Sequence, residues 1–306
     1  MKFEDLETAR QAYINRFRKV FLMSFSVAAL PALLFMAPMI RGGLVIFSLL
    51  FFFIFVGCIA LVFTTIYTRK DKLKYVGAYK SYFVESSLKN FFTEINYLHD
   101  SGFSPAVLSG TGMMRTGDRF RSNDYISGKY KEVQFSQADV HIQDEHTDSD
   151  GNTNYVTIFK GRWMIFEFPK QFVSKMEIAQ KGFRGNLVPR SSQNGKKIKK
   201  MDTESISFNK MFTIYAEDGF EMFYILTPDI IQRIENIASE GKRKIILCFV
   251  DNKLHVGLHN NKDAFEPPSA RKSLDEKNEL EKVQADIKPI TDFIDTLKLD
   301  KKIFKN

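Results

Sequence analysis

The residues with chemistry to offer fall into a few small groups, and the spacing within each can be held against what a site requires. Gly110-Thr111-Gly112 and Gly117 come first, since glycines let backbone N–H groups close around a phosphate. Gly112 and Gly117 stand at the spacing of a phosphate-binding loop, yet Asp118 and Arg119 occupy the positions that need Lys and then Ser or Thr. A dinucleotide fingerprint fails as well, because its third glycine falls on Arg115. What remains is a glycine-rich loop. The run from His146 to Gly151 has the acids and the glycine of a calcium loop, but that loop needs an acid at its first position and Glu at its twelfth. Here those are His146 and Thr157, so the expectation is a polar hairpin tip. His255 and His259 are an even number of residues apart and share one face of a strand, but no third zinc ligand lies near them in sequence. Ser136 has no base or oxyanion motif around it. No catalytic, cofactor-binding or metal-binding residue is assigned, and no cofactor is expected.

The remaining group is basic. Lys181, Arg184, Arg190, Lys196, Lys197, Lys199 and Lys200 lie in one stretch that contains no acidic residue. Each Lys or Arg held near an anionic leaflet contributes about 1 kcal/mol of attraction, so these are candidate lipid contacts. The alternative is an ordinary solvated loop.

Which of the two applies depends on the elements that position the stretch. Val20 to Ile40 contains no charged residue, and neither does Leu44 to Ile66. Each run reaches the roughly 20 residues that a helix needs to cross a hydrocarbon core of about 30 Å. Backbone groups must be satisfied internally in lipid, so both are expected as helices. Only Arg41-Gly42-Gly43 separates them, enough for a reversal and too little for a domain. Arg10, Arg16, Arg18 and Lys19 precede the first span, and Arg69, Lys70, Lys72 and Lys74 follow the second, against Arg41 alone in the turn. The positive-inside bias then places both termini in the cytoplasm. A cleaved signal peptide followed by one anchor fits less well, because the first run is too long for a signal core and no small-residue cleavage site follows it. The same bias accounts for much of the net charge of +8, so no nucleic-acid partner is expected. Cys58 and Cys248 are too far apart in sequence and setting to suggest a disulfide framework.

Five segments follow. Residues 1–19 form an amphipathic lead-in helix, 20–67 the transmembrane hairpin and 68–100 a juxtamembrane helix, its stripe running from Tyr75 to Leu98. Residues 101–265 form a cytoplasmic β-rich domain and 266–306 a C-terminal helical segment. Alternation of Ala138, Val140 and Ile142 with polar neighbours marks a half-buried strand, and Tyr155–Phe168 is a second. Further strands are expected at Val173–Ala179, Ile206–Phe208, Met211–Ala216 and Phe220–Leu226, the last two joined across Asp218-Gly219. Thr227 with Pro228 opens a helix to about Ser239. Ile245–Val250 and Leu254–Leu258 form a hairpin. Beyond Phe265-Glu266-Pro267-Pro268, an apolar seam of Leu280, Val283, Ile287, Ile290, Ile294 and Leu297 indicates a helix docked on the domain. The fold class is α+β: a two-helix membrane hairpin, then a mainly antiparallel β domain with packed helices. A barrel-like or pleckstrin-homology-like sheet is one candidate architecture.

The order of short motifs resembles a bacterial two-transmembrane family catalogued as domain of unknown function 3137. It is carried by the two spans, Asp124-Tyr125-Ile126-Ser127-Gly128, Phe135-Ser136, Phe159-Lys160-Gly161, Leu226-Thr227-Pro228, Phe249-Val250-Asp251-Asn252 and Phe265-Glu266-Pro267. The resemblance implies architecture and bacterial origin, and it maps no catalytic residue. The functional expectation is a membrane-anchored cytoplasmic binding or scaffolding module of the bacterial inner membrane. Its partners would be the bilayer, anionic lipid headgroups and an unidentified protein. The alternative is an enzyme acting on a membrane-associated substrate.

Overall fold

The computed structural model describes residues 2–41, 45–183, 198–240 and 243–299, with the backbone alone at 35–41. The chain divides into two compact units: Met1–Ser86 with Glu266–Leu280, and Ser87–Phe265 with Glu281–Asn306.

In the first unit α1 (Phe3–Arg41) runs from the lead-in through the first apolar stretch without a break. Then come α2 (Val45–Tyr67), α3 (Arg69–Tyr79) and a π-helical turn at Lys80–Glu85. Both α1 and α2 are long and apolar enough to cross a membrane. On α2 the buried positions are Ser48, Phe52, Val56, Ala60 and Thr64, every fourth residue. That spacing is one ridge of a helix, and it packs with Phe25, Ala28, Ala29 and Ala32 of α1. Small residues along the ridge let the two backbones approach closely. The hydroxyls of Thr64 and Thr68 donate to the carbonyls four residues back, each at 2.7 Å, and so present no loose donor. Ile46, Phe47, Phe51, Phe53, Ile54 and Phe63 point outward and are exposed. At about 25 cal/mol per Å² such a surface is costly in water and costs nothing against hydrocarbon.

The second unit takes α4 (Ser86–Phe91) from its second residue on. It continues with β1 (Thr93–Leu98), α5 (Pro105–Ser109), β2 (Arg119–Tyr130), β3 (Val133–Thr147), β4 (Thr153–Glu167), β5 (Met176–Gln180) and β6 (Lys199–Met201). Next are α6 (Ile206–Met211), β7 (Phe212–Ala216), α7 (Gly219–Ile225), α8 (Pro228–Ser239), β8 (Lys244–Val250), β9 (Lys253–His259) and α9 (Glu276–Leu297), of which the part from Glu281 belongs here. The α+β layout holds. The nine strands among the described residues form one antiparallel sheet in the order β1-β2-β3-β4-β9-β8-β5-β7-β6.

The sheet is open, which corrects the expectation of a barrel or a pleckstrin-homology-like closure. Its edges are β1 and the three-residue β6, and both faces are covered by other elements instead of by the sheet's own curl. On one face Val140, Ile142, Phe159, Trp163, Ile246 and Cys248 lie under Phe103, Leu108, Met113 and Met114. On the other, Phe166 stacks on Phe293 of α9, Arg162 donates to the Asp286 carbonyl, and the Phe265 amide donates to the Asp286 carboxylate at 3.0 Å. The α9 seam supplies the cover that a barrel would take from its opposite wall. Gly161 shows how tight the middle of the sheet is. Its φ of 150° places it beside β9, and a Cβ there would come within 2.1 Å of the Leu258 carbonyl oxygen.

Three local expectations also need correction. The juxtamembrane helical run ends at Phe91, and Thr93–Leu98 is a strand. Ile206–Phe208 opens α6, because the Ser205 hydroxyl accepts from the Phe208 amide at 3.2 Å as an N-cap. Phe220–Leu226 is not a strand: Asp218 caps a helix by accepting from the Phe220 amide at 2.7 Å.

Candidate functional site

The glycine-rich loop follows α5 and closes over the core. The Thr111 hydroxyl donates to the Leu108 carbonyl at 2.6 Å and accepts from the Met113 amide at 3.1 Å, while Met113 and Met114 are buried. A Cβ on Gly112, whose φ is +61°, would stand 2.9 Å from Lys175 Nζ, so the loop passes directly over that lysine. Lys175 and Glu177 form a buried ion pair at 2.5 Å. From Glu177 a row runs across neighbouring strands through Cys248 to His255. Burial raises the Cys248 thiol, which opposes a reactive thiolate. Burial also lowers His255 to about 4, and its Nδ1 accepts from Trp163 Nε1 at 3.3 Å. His259 Nδ1 accepts from the Lys160 amide at 3.1 Å. A neutral imidazole, a protonated thiol and a paired lysine are the chemistry of packing.

The hairpin tip at 148–152 is likewise occupied by its own backbone. The Asp148 carboxylate accepts from the Asn152 amide at 2.8 Å, the Asn152 side chain at 3.2 Å and the Asp150 amide at 3.0 Å, which holds it below the usual carboxylate range.

Among the candidate lipid contacts, Lys181, Lys199 and Lys200 are described and exposed, whereas Arg184, Arg190, Lys196 and Lys197 lie outside the described residues. Lys181 follows β5, and its Nζ donates to the Asn209 carbonyl at 2.6 Å. Lys199 and Lys200 sit on β6, the sheet edge, paired with Ala216 and Tyr215 of β7. From β7 the chain passes at once into α7, whose Gly219 lies against Met201 of β6.

The sequence reading missed α7. Met222 and Ile225 face the core, while Phe220, Phe223 and Tyr224 face out at i, i+3 and i+4. Phe220 is 91% exposed, and Val173 alongside is 75% exposed, its amide bonded to Glu221 at 2.6 Å. Lys170 Nζ stands 4.1 Å from the centre of the Tyr224 ring, a cation–π contact. A lysine over a tyrosine and three outward aromatic rings thus form one amphipathic surface on α7, while Lys199 and Lys200 lie on the edge strand β6. Read as a strand, Phe220–Leu226 alternates its rings between faces; only a helix collects them on one.

Residues 157–299 match the family model described as "Protein of unknown function (DUF3137)". This segment resembles the DUF3137 family. It runs from the middle of β4 to the end of α9 and includes β6 and α7, so the amphipathic surface lies within the DUF3137 region. The motifs from Asp124 to Ser136 that contributed to the resemblance precede it. No curated protein matches the chain. Among solved structures, the crystal structure of the mycobacterial trehalose monomycolate transport factor A, TtfA, is similar at 9% identity and a TM-score of 0.36. The match covers 70% of this chain and 94% of that one.

Proposed function

We propose that this chain is a membrane-anchored binding or scaffolding module of the bacterial inner membrane. Both termini and the larger unit lie in the cytoplasm, and the β6–α7 surface contacts anionic lipid while an unidentified protein is the partner. The observation that carries this reading is the outward aromatic face of α7, with Lys170 over its Tyr224 ring. Aromatic rings are favoured at the membrane–water interface, and basic residues next to them are drawn to anionic headgroups. Lys199 and Lys200 on the edge strand β6 add to that charge. The two apolar helices keep the domain within reach of the leaflet. The attraction acts over a Debye length of about 8 Å at physiological salt, so contact must be close and must weaken as salt rises.

The full chain, reconstituted in lipid nanodiscs, tests this through hydrogen exchange of residues 219–226. Exchange is expected to slow in anionic discs relative to neutral ones, with the difference fading at high salt. It should vanish in the Phe220→Ser, Phe223→Ser variant, whose side chains leave no hole in the core. Identical exchange in both lipids at low salt would remove α7 from the membrane.

A further inference from the structure

The first unit contains a cavity of about 660 Å³ that none of the preceding assignments uses. One wall is α1, with Tyr13, Phe17, Arg18 and Phe21, and another is α3, with Lys72 and Tyr75. The floor is the segment Glu266–Arg271, and it is held firmly. Buried Arg10 donates to the carbonyls of Ala270 at 2.6 Å and Lys272 at 2.8 Å. The Tyr75 hydroxyl donates to the Pro268 carbonyl at 3.2 Å, and Lys80 pairs with Glu266 at 3.3 Å. Pro267 and Pro268 have fixed φ angles, which further limits the strap.

The charges around this cavity do not balance. Glu266 is neutralised by Lys80, and Asp71 of α3 by Arg16 at 3.3 Å. Among the described residues Arg18, Lys72 and Arg271 have no carboxylate partner. Arg271 lies 5.9 Å from the centre of the Phe17 ring, near enough to Tyr13 for its charge to counter the upward push of burial on that hydroxyl. The lining also has a direction. One turn beyond Arg18 stands Phe21, where the uncharged run that begins at Val20 takes over. The lining is therefore cationic and aromatic toward the strap and apolar toward the span.

We infer that this cavity binds a single anionic phospholipid. The phosphate sits among Arg18, Lys72 and Arg271, the glycerol rests against Phe17 and Tyr13, and the acyl chains leave past Phe21 along the hairpin. Guanidinium forks match phosphate oxygens in pairs, and the volume lies in the range of small-molecule pockets. The inference rests on the membrane reading of α1 and α2 but not on contact between α7 and lipid.

Native mass spectrometry of the full chain in detergent tests it, with phosphatidylglycerol, phosphatidylcholine or inorganic phosphate as the probe. The chain should retain one phosphatidylglycerol in preference to phosphatidylcholine. Arg271→Gln should reduce that retention about tenfold, the loss expected for a charge-assisted contact. Arg271 is exposed, and an unchanged melting temperature would verify that the variant is folded. Lys74→Gln, which removes the same charge from an exposed residue outside the cavity's lining, should leave retention intact. Equal retention of phosphatidylcholine, equal loss in both variants, or no loss in Arg271→Gln would overturn the site. Inorganic phosphate that binds alone with the same dependence on Arg271 would make it a phosphate site and overturn the lipid assignment. None of these results depends on hydrogen exchange at α7, so this inference and the proposed function can fail separately.

Discussion

His255 is the residue whose burial has the clearest consequence in solution. Its imidazole is neutral in the fold, lowered to about 4 from an ordinary value of 6.5, mainly by burial and secondarily by the charge of Lys253. Below pH 6.5 the unfolded chain takes up a proton there that the folded chain refuses, so stability falls as pH drops from 6.5 toward 4. A shift of this size corresponds to at most about 3 kcal/mol. His255→Gln keeps an acceptor for Trp163 Nε1 and removes the titration. Urea denaturation from pH 7 to pH 4.5 should therefore show a shallower loss of stability in the variant than in the parent. Parallel curves would mean that the imidazole is protonated within the fold. Even spacing placed His255 and His259 on one strand face, which the sheet confirms. Their hydrogen-bond partners, Trp163 and the Lys160 amide, come from β4, about a hundred residues earlier, and no local pattern could name them.

At the scale of elements, terminal signals separate what was legible from what was not. Thr227-Pro228 announced α8, and the structure has the cap, with the Thr227 hydroxyl accepting from the Ile230 amide at 3.4 Å. Asp218-Gly219 announced a turn, yet the Asp218 side chain caps α7. The same dipeptide serves both purposes, and the choice is made by Met222 and Ile225 finding the core. The α9 seam was legible because a two-turn repeat extended over many residues admits only a helix. Val283, Ile287, Ile290, Ile294 and Leu297 are all buried, with Phe293 added to them. Replacing both Ile287 and Ile294 by Asp would bury unpaired charge and should cost at least about 3 kcal/mol. A melting temperature equal to the parent's would show that α9 does not hold the sheet's second face.

For the whole molecule, the proposed topology makes a direct prediction. In cells whose chain has Cys58 and Cys248 replaced by Ala, single cysteines at Lys2 and Asn306 should resist a membrane-impermeant thiol reagent. One at Gly42 should react. Labelling at Asn306 without lysis would reverse the orientation. The prediction rests on basic residues on both flanks against Arg41 alone in the turn, and on outward apolar side chains over the length of α2.

By itself the sequence determined the two apolar helices, the α+β class, the long central strands, α8 and α9. Each depends on a pattern that repeats within one segment: an uncharged run, an alternation or a helical stripe. Only the tertiary structure decided that the sheet stays open, because closure depends on what covers each face, and the covers are Phe103–Met114 and α9. It also turned Phe220–Leu226 into a helix that gathers three aromatic rings on one outward face. The cavity, too, belongs to the tertiary structure alone. Arg18, Lys72 and Arg271 are spread over some 250 residues of sequence, and only folding brings their charges around one space.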